Sequence, residues 1–359
     1  MIVLHILNDI QEIGNGIINV AVDLACLQAQ AGLKVGIASA GGEYEDLLAH
    51  YGVKHFNLNQ NRKPLNLLKA AKNYRQIIQE FQPNIVHAHM MTGIVLARVL
   101  RGQDRYGLVS TVHNEFQRSA VLMGWADRVI GVSNAVAKSM IRRGVAENKL
   151  RVVCNGTIGS PRNRPISDYL PMPIERPAIV TVAGMYQRKG IADLIAAFEK
   201  IGSDFPAVHL YIVGNGPDRP LFEAQAQSTS VADRIHFEGF QQEPQRYLLS
   251  TDIFVLASHR DPSPLVIPEA RQAGCAIVAS DVDGIPEALD KGVAGVLVPP
   301  ADSQALAAAL VQLLTHPEEL HRWKERAKNN LEWLNVARVN NETLAVYREL
   351  YIKDRWLTL

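Results

Sequence analysis

Short apolar runs rich in valine and isoleucine alternate with helix-length amphipathic segments along nearly the whole chain, and nothing else in the sequence constrains the fold as strongly. "IVLHIL" reads as a buried strand, "GIINVAVDLACLQAQAG" as a helix ended by Gly32, and "KVGIAS" as the next strand. "NLLKAAKNYRQIIQEF" is a further helix and "NIVHAH" a further strand, and "GLVSTVH", "RVIGVS" and "LRVVCN" follow. A strand that is apolar along its whole length is covered on both faces. Helices between such strands are crossovers, so the pattern specifies a parallel, doubly wound sheet.

The period is lost from Ser160 to Pro177, where "SPRNRPISDYLPMPIERP" carries five prolines and reads as a linker. The alternation then restarts with "AIVTVAG", "HLYIVG", "RIHFEG", "IFVLAS" and "AIVAS". A chain of 359 residues is long enough for two such domains. We expect a first Rossmann-like domain over residues 1–165 and a second over 166–338. The tail beyond Asp302 reads as helical, and residues 339–359 are expected to pack back on the first domain as a helix.

Three cysteines, Cys26, Cys154 and Cys275, have neither CxxC spacing nor an evident pairing, which points to a reducing cytoplasm. The opening "MIVLHILND" lacks a basic leader and a cleavage site and reads as a first strand. No apolar run reaches the length of a bilayer span, so a soluble chain is expected. The formal net charge of +1 argues against a nucleic-acid binder. Its distribution is uneven: residues 1–165 hold 19 Lys+Arg against 11 Asp+Glu, or +8, and the remainder 18 against 25, or −7.

Ligands of doubly wound sheets bind at the carboxyl ends of strands, and two facing sheets would form a cleft. Motifs at those ends carry the functional reading. In "VTVAGMYQRKGIADLI" a loop offers Arg188 and Lys189, then Gly190 at a helix start. Cations beside a helix N-terminus suit an anion, although a solvated basic turn would look the same. In "YIVGNGPDRPLF", Gly214 and Gly216 follow a strand and precede a helix. GxG is a weak signal, and the missing GxGxxG argues against a NAD-dependent dehydrogenase.

"HRDPSPLVIPEARQAG" sets two acids, Asp261 and Glu269, and three prolines around one helix start. Ser263 is a candidate N-cap with Pro264 at the first helical position, unless the helix begins later, near Ile267. In either case Glu269 stands near the positive end of a helix, where a carboxylate can accept two hydroxyls. In the first domain Gly14 and Gly16 lie just before a helix, and His113 ends a strand. His87 and His89 form an HxH on one strand face, a partial metal pattern. No third ligand has a matching spacing, and we expect no metal.

Taken together these motifs resemble the retaining glycosyltransferases of family GT4, which have the GT-B fold of two Rossmann-like domains facing across a cleft. The resemblance rests on "GNG" after the first strand, "ADRVIGVS" with the following "NG", "AGMYQRKG", "VGNGP", the acid–x7–acid element from Asp261 to Glu269, and "GIPEAL". It implies that Asp261 and His113 position the donor sugar, and that Arg188 and Lys189 hold the diphosphate with the Gly14–Gly16 turn approaching it. It also implies that Glu269 takes the ribose, Phe240 and Gln241 flank the base, and backbone around Ser263, Leu265 and Val266 faces the donor, with Gly214 in the same set. Three positions depart from the family pattern: Asp261 stands for the usual Glu, Pro264 for a Gly, and Gly184 for the Arg of "GRL".

The implied reaction is metal-independent transfer of a hexose-type sugar from a UDP- or GDP-sugar, without a cofactor, to a glycan, a lipid-linked glycan or another hydroxyl acceptor. A sugar-nucleotide epimerase and a non-catalytic sugar-nucleotide binder are the alternatives. One basic segment, residues 62–79, carries Arg62, Lys63, Lys69, Lys72 and Arg75 around Leu65, Leu68, Ile77 and Ile78. It reads either as a solvated face on a core helix or as a weak contact with an anionic membrane surface, on its inner face.

Overall fold

Both parallel sheets are present in the computed structural model, which describes residues 1–61, 63–102 and 105–351. The chain divides into two units, one made of Met1–Asn163 with the chain from Asn335 onward, the other of Arg164–Leu334. The first unit runs β1 (Ile2–Ile6), α1 (Gly16–Gln30), β2 (Lys34–Ser39), α2 (Glu45–His50), β3 (Lys54–Asn57), α3 (Pro64–Phe81), β4 (Ile85–Ala88), α4 (Met91–Val99), β5 (Gly107–Val112), β6 (Arg128–Gly131), α5 (Asn134–Arg142) and β7 (Leu150–Val152). The second runs β8 (Ala178–Val182), α6 (Ile191–Ile201), β9 (His209–Val213), α7 (Arg219–Gln227), β10 (Ile235–Gly239), α8 (Gln245–Leu249), β11 (Ile253–Leu256), α9 (Val266–Ala273), β12 (Ala276–Ser280), α10 (Ile285–Ala288), β13 (Val296–Val298), α11 (Ser303–Thr315) and α12 (Pro317–Ala327). The last helix, α13 (Val336–Tyr351), belongs to the first unit and packs on α1.

Strand order is β3-β2-β1-β4-β5-β6-β7 in the first sheet and β10-β9-β8-β11-β12-β13 in the second, and the paired strands are parallel. Each sheet therefore reverses direction of growth once, at β1/β4 and at β8/β11, and a crevice opens at that reversal. The interior strands are buried on both faces, as the unbroken apolar runs require: all four residues of β11 and all five of β12 are buried. Two strands escape the sequence reading, β3 and β13. Both are short edge strands, and β3 buries only Phe56, so neither carries a full apolar run.

Local chemistry sets several boundaries. Asn15 caps α1 by accepting from the Ile17 N–H at 3.0 Å, and Asp302 caps α11 by accepting from Gln304 and Ala305. Gly274 ends α9 at φ 78°. In α3, Ile77 and Ile78 do not share an outward apolar edge with Leu68. They are buried with Ala70, Tyr74 and Phe81 in the core, while Leu68 is 72% exposed on the opposite side. Arg62 and the Leu65 side chain lie outside the described residues.

The approach to the second unit is pinned by charge. Arg162 meets Asp23 of α1 through two nitrogens, at 2.9 and 3.0 Å, and the Ser160 hydroxyl donates to the same carboxylate at 2.6 Å. Both ion-pair partners are buried, so removing one leaves a charge without its main compensation. Asp23→Ala should therefore lower stability by about 3 kcal/mol, read as a shift in the urea unfolding midpoint. An unshifted midpoint would mean that the pair contributes nothing to this anchorage.

Candidate active site

In the second unit, the loops after β8 and β11 meet at the point where strand order reverses. After β8 the chain makes a 3₁₀ turn over Gln187–Lys189, reaches Gly190 and enters α6. After β11 it passes through Ser258 to Leu265 and enters α9. Lys189 Nζ donates to Asp261 Oδ2 at 2.6 Å, with 16% and 7% of the two side chains exposed. The pair is thus brought together across 72 residues of sequence.

Asp261 is held from several sides. Its N–H donates to Asp283 Oδ2 at 2.9 Å, its carbonyl accepts from the Gly284 N–H at 3.1 Å, and the Ser258 hydroxyl lies 3.4 Å from Oδ2. Asp283 also accepts from Arg260 Nε at 2.8 Å. Sequence reasoning missed Asp283, which directly precedes the "GIPEAL" element and takes a left-handed φ of 49°. The two loops are also joined by backbone, since the His259 N–H donates to the Arg188 carbonyl at 2.8 Å. His259 Nε2 in turn meets Asp193 of α6. The Arg188 guanidinium lies 5.4 Å from the Tyr186 ring centroid, within range of a cation–π contact.

The prolines of the opening of α9 now have a place. The helix begins at Val266 with Leu265 as its N-cap, so Ser263 is not the cap and Pro264 lies outside the helix. Pro268 is then the third helical residue, where its missing N–H is one that no helix carbonyl would have accepted. Glu269 follows in the first turn, half-buried, at the positive end of the helix dipole. Leu265, Val266 and Ser263 are half-buried beside it.

Gly214, expected among the donor contacts, is also held within its own unit. Its N–H donates to the Gly239 carbonyl at 2.7 Å, and its φ is 133°. A Cβ there would lie 2.0 Å from the Ala183 carbonyl oxygen. Its N–H is thus bonded to that carbonyl, and the absent side chain permits the close strand-end packing. Nearby, Phe240 is 45% exposed and Gln241 is oriented by donating to the Glu238 carbonyl at 2.9 Å.

In the first unit, Gly14 adopts φ 70° and Gly16 opens α1. His113 directly follows β5 and is half-buried. It does not stand alone: its Nε2 is 3.1 Å from His89 Nδ1, and His89 Nε2 is 3.0 Å from His5 Nδ1. His5 of β1 lies opposite His87 of β4 in the parallel register. With a two-residue period, His5, His87, His89 and His113 share one sheet face. Burial pushes His5 down to about 4 and His113 to about 3, and holds His87 and His89 well below the usual histidine range. The four rings are neutral near pH 7. His5, His87 and His89 bring nitrogens within 4.8 Å of one another, the third imidazole that no local spacing could show. Their ring nitrogens are matched to hydrogen-bonding partners from Gln28, Tyr347 and Thr111 and from one another.

Two doubly wound units, with charged and polar side chains gathered at the strand-order reversals, define a two-domain α/β protein of the GT-B glycosyltransferase class. Residues 14–157 match the family model described as Glycosyltransferase Family 4, and residues 167–330 match that described as Glycosyl transferases group 1. Together the two models account for most of both units, and the chain belongs to the family 4 glycosyltransferases. Similar proteins include the lipopolysaccharide core biosynthesis glycosyltransferase LpsE of Rhizobium meliloti, 27% identical over 162 residues, which are 45% of this chain and 46% of that protein. The chain thus matches less than half the length of that relative. Phosphatidyl-myo-inositol mannosyltransferase of Mycolicibacterium smegmatis is 24% identical over 356 residues, 94% of this chain and 90% of that protein. The crystal structure of Anabaena HepE in complex with UDP-glucose superimposes with a TM-score of 0.81 at 20% identity, covering 96% of this chain and 99% of that one. At that identity the likeness speaks for the fold.

Gly190 is the position on which the loop junction depends. Its φ is 66°, and a Cβ there would lie 1.8 Å from the Ala257 carbonyl oxygen at the end of β11. Gly190→Ala should cost about 2 kcal/mol or more, by strain and overpacking together, and displace Lys189 from Asp261. Chemical denaturation and donor affinity check this, and a variant as stable as the parent would show that the loops do not need this contact.

Proposed function

We propose that the chain is a retaining, metal-independent glycosyltransferase that moves a hexose-type sugar from a UDP- or GDP-sugar to a glycan or lipid-linked acceptor. The Lys189–Asp261 pair at the β8/β11 reversal, beside the first turn of α9, carries this reading. A departing nucleoside diphosphate gathers negative charge, and a preorganised ammonium stabilises that charge as it forms. Each factor of ten in rate requires about 1.4 kcal/mol of such stabilisation. In this reading Asp261 orients Lys189 and meets the donor sugar, while Arg188 adds a second cation. Glu269 accepts from the ribose hydroxyls, and Phe240 and Gln241 flank the base. The N–H groups entering α9 at Leu265 and Val266, with Ser263, face the donor. In the first unit Gly14, Gly16 and His113 are the donor contacts. No cofactor is needed, because protein cations take the place of a metal. The UDP complexes of Anabaena HepE favour a uridine nucleotide.

Titration calorimetry tests the donor assignments. Glu269→Gln should weaken UDP-sugar binding by about 1.5–3 kcal/mol, since it removes a charge-assisted bond. Lys189→Met should lower turnover more than it weakens binding of the free nucleoside. Product anomers read by NMR should keep the donor configuration, and turnover should survive chelation. Unchanged donor affinity in Glu269→Gln, or activity abolished by chelator, contradicts this reading.

The acceptor reading rests on the outer side of α3. Lys63, Lys69, Lys72 and Arg75 are exposed, as are Leu67 and Leu68, at 41% and 72%. Basic residues around exposed leucines suit an anionic lipid surface, each near-surface cation contributing about 1 kcal/mol. Vesicle co-sedimentation should show binding that requires anionic lipid, falls with salt and drops when Lys69, Lys72 and Arg75 become Gln. Equal binding to neutral vesicles, or none at low salt, assigns the enzyme a soluble acceptor instead.

A further inference from the structure

Behind His113 runs a hydrogen-bonded chain that ends on a single amide. Gln28 of α1, fully buried, places Oε1 3.0 Å from His5 Nε2. His5 Nδ1 then meets His89 Nε2 at 3.0 Å, and His89 Nδ1 meets His113 Nε2 at 3.1 Å. The other end of the same amide donates: Gln28 Nε2 lies 3.4 Å from the Tyr347 hydroxyl. Tyr347, from α13, meets His87 Nδ1 at 2.6 Å, and His87 Nε2 meets Thr111 Oγ1 at 2.7 Å.

A neutral imidazole has one N–H and one lone pair. In a chain of such rings, choosing the donor at one end chooses it at every link, because any other choice sets two lone pairs or two N–H groups face to face. A carbonyl oxygen can only accept. With Oε1 facing His5, the proton on His5 is at Nε2, so Nδ1 accepts from His89 Nε2–H, and His89 Nδ1 accepts from His113 Nε2–H. His113 is left with its lone pair on Nδ1.

We propose that Gln28 is a positioning residue that fixes the proton polarity of the His5–His89–His113 chain, so that His113 presents Nδ1 as a hydrogen-bond acceptor. An acceptor nitrogen takes a hydroxyl proton and gives nothing to a phosphate oxygen. Resting on the reading that His113 meets the donor, the polarity aims this residue at a sugar hydroxyl and away from the diphosphate. It also gives α13 a role in the first unit, since the Tyr347 hydroxyl accepts from the Gln28 amide nitrogen when Oε1 faces His5.

The test uses the full chain with ¹⁵N-labelled histidine, and long-range proton–nitrogen correlation spectra at neutral pH. His113 signals are identified by their loss in His113→Asn. The expected result is a pyridine-type Nδ1 and a pyrrole-type Nε2 on His113. Gln28→Met should lose that fixed tautomer, moving both nitrogens to averaged positions. Gln28→Glu, which keeps the acceptor oxygen, should restore it. A protonated Nδ1 in the parent protein overturns the proposal, and this single spectrum decides the matter if Gln28→Met does not fold. An unchanged tautomer in a folded Gln28→Met also overturns it, as does one equivalent of Zn²⁺ shifting the nitrogens of His5, His87 and His89 to coordinated positions. Adding UDP-glucose separates the two claims: a fixed tautomer whose His113 signals do not respond to the donor supports the chain's polarity and refutes His113 as a donor contact.

Discussion

The single reversal of strand order in each sheet is the constraint from which the functional geometry follows. Right-handed crossovers place helices on both faces of a parallel sheet, and growth from a central strand in two directions leaves the crossovers on either side of the reversal diverging. The loops after β8 and β11 are neighbours for that reason, and Lys189 and Asp261 need only point toward each other to meet. In the first unit the same topology sets β1 beside β4, which puts His5 opposite His87. Both clusters are consequences of sheet order before they are consequences of any one residue.

Most of the fold was legible because its signal is local and repeated. Apolar runs marked the interior strands, and "SPRNRPISDYLPMPIERP" marked the passage between two stretches of alternation. The strands that went unseen, β3 and β13, are at sheet edges, where one neighbour and partial burial no longer demand a continuous apolar run. On α3 the sequence names Leu68, Ile77 and Ile78 together among basic residues, but the core takes the isoleucines and leaves the leucine outside. Composition of a helix does not tell which of two candidate faces its neighbours will cover.

The candidate site was legible in part, and the gaps share one cause. Lys189, Asp261 and Glu269 stand in short motifs whose strand-end context can be read along the chain. Asp283 supports Asp261 from another strand end, and no spacing links the two. At Gly214 the sequence shows a glycine after a strand but not the neighbouring carbonyl that also requires it, since glycines that admit a ligand and glycines that admit a carbonyl have the same sequence. A Cβ there would lie 2.0 Å from the Ala183 carbonyl oxygen. His5 was hidden within an apolar run that reads as plain strand, and its partners Gln28 and Tyr347 lie on helices at opposite ends of the chain.

The two clusters handle charge in opposite ways. Lys189 and Asp261 hold opposite charges in contact, close to a helix start, which suits a step in which charge moves onto a leaving group. The histidines sit where burial disfavours the cation, with His5 at about 4 and His113 at about 3, so the chain stays neutral and its directionality comes from hydrogen-bond polarity. A cationic imidazole at His113 would donate from both nitrogens and so would suit a phosphate oxygen, the partner proposed for the lysine. In the proposed role, a neutral His113 distinguishes hydroxyl from phosphate by hydrogen-bond sense, while the ion pair answers to charge.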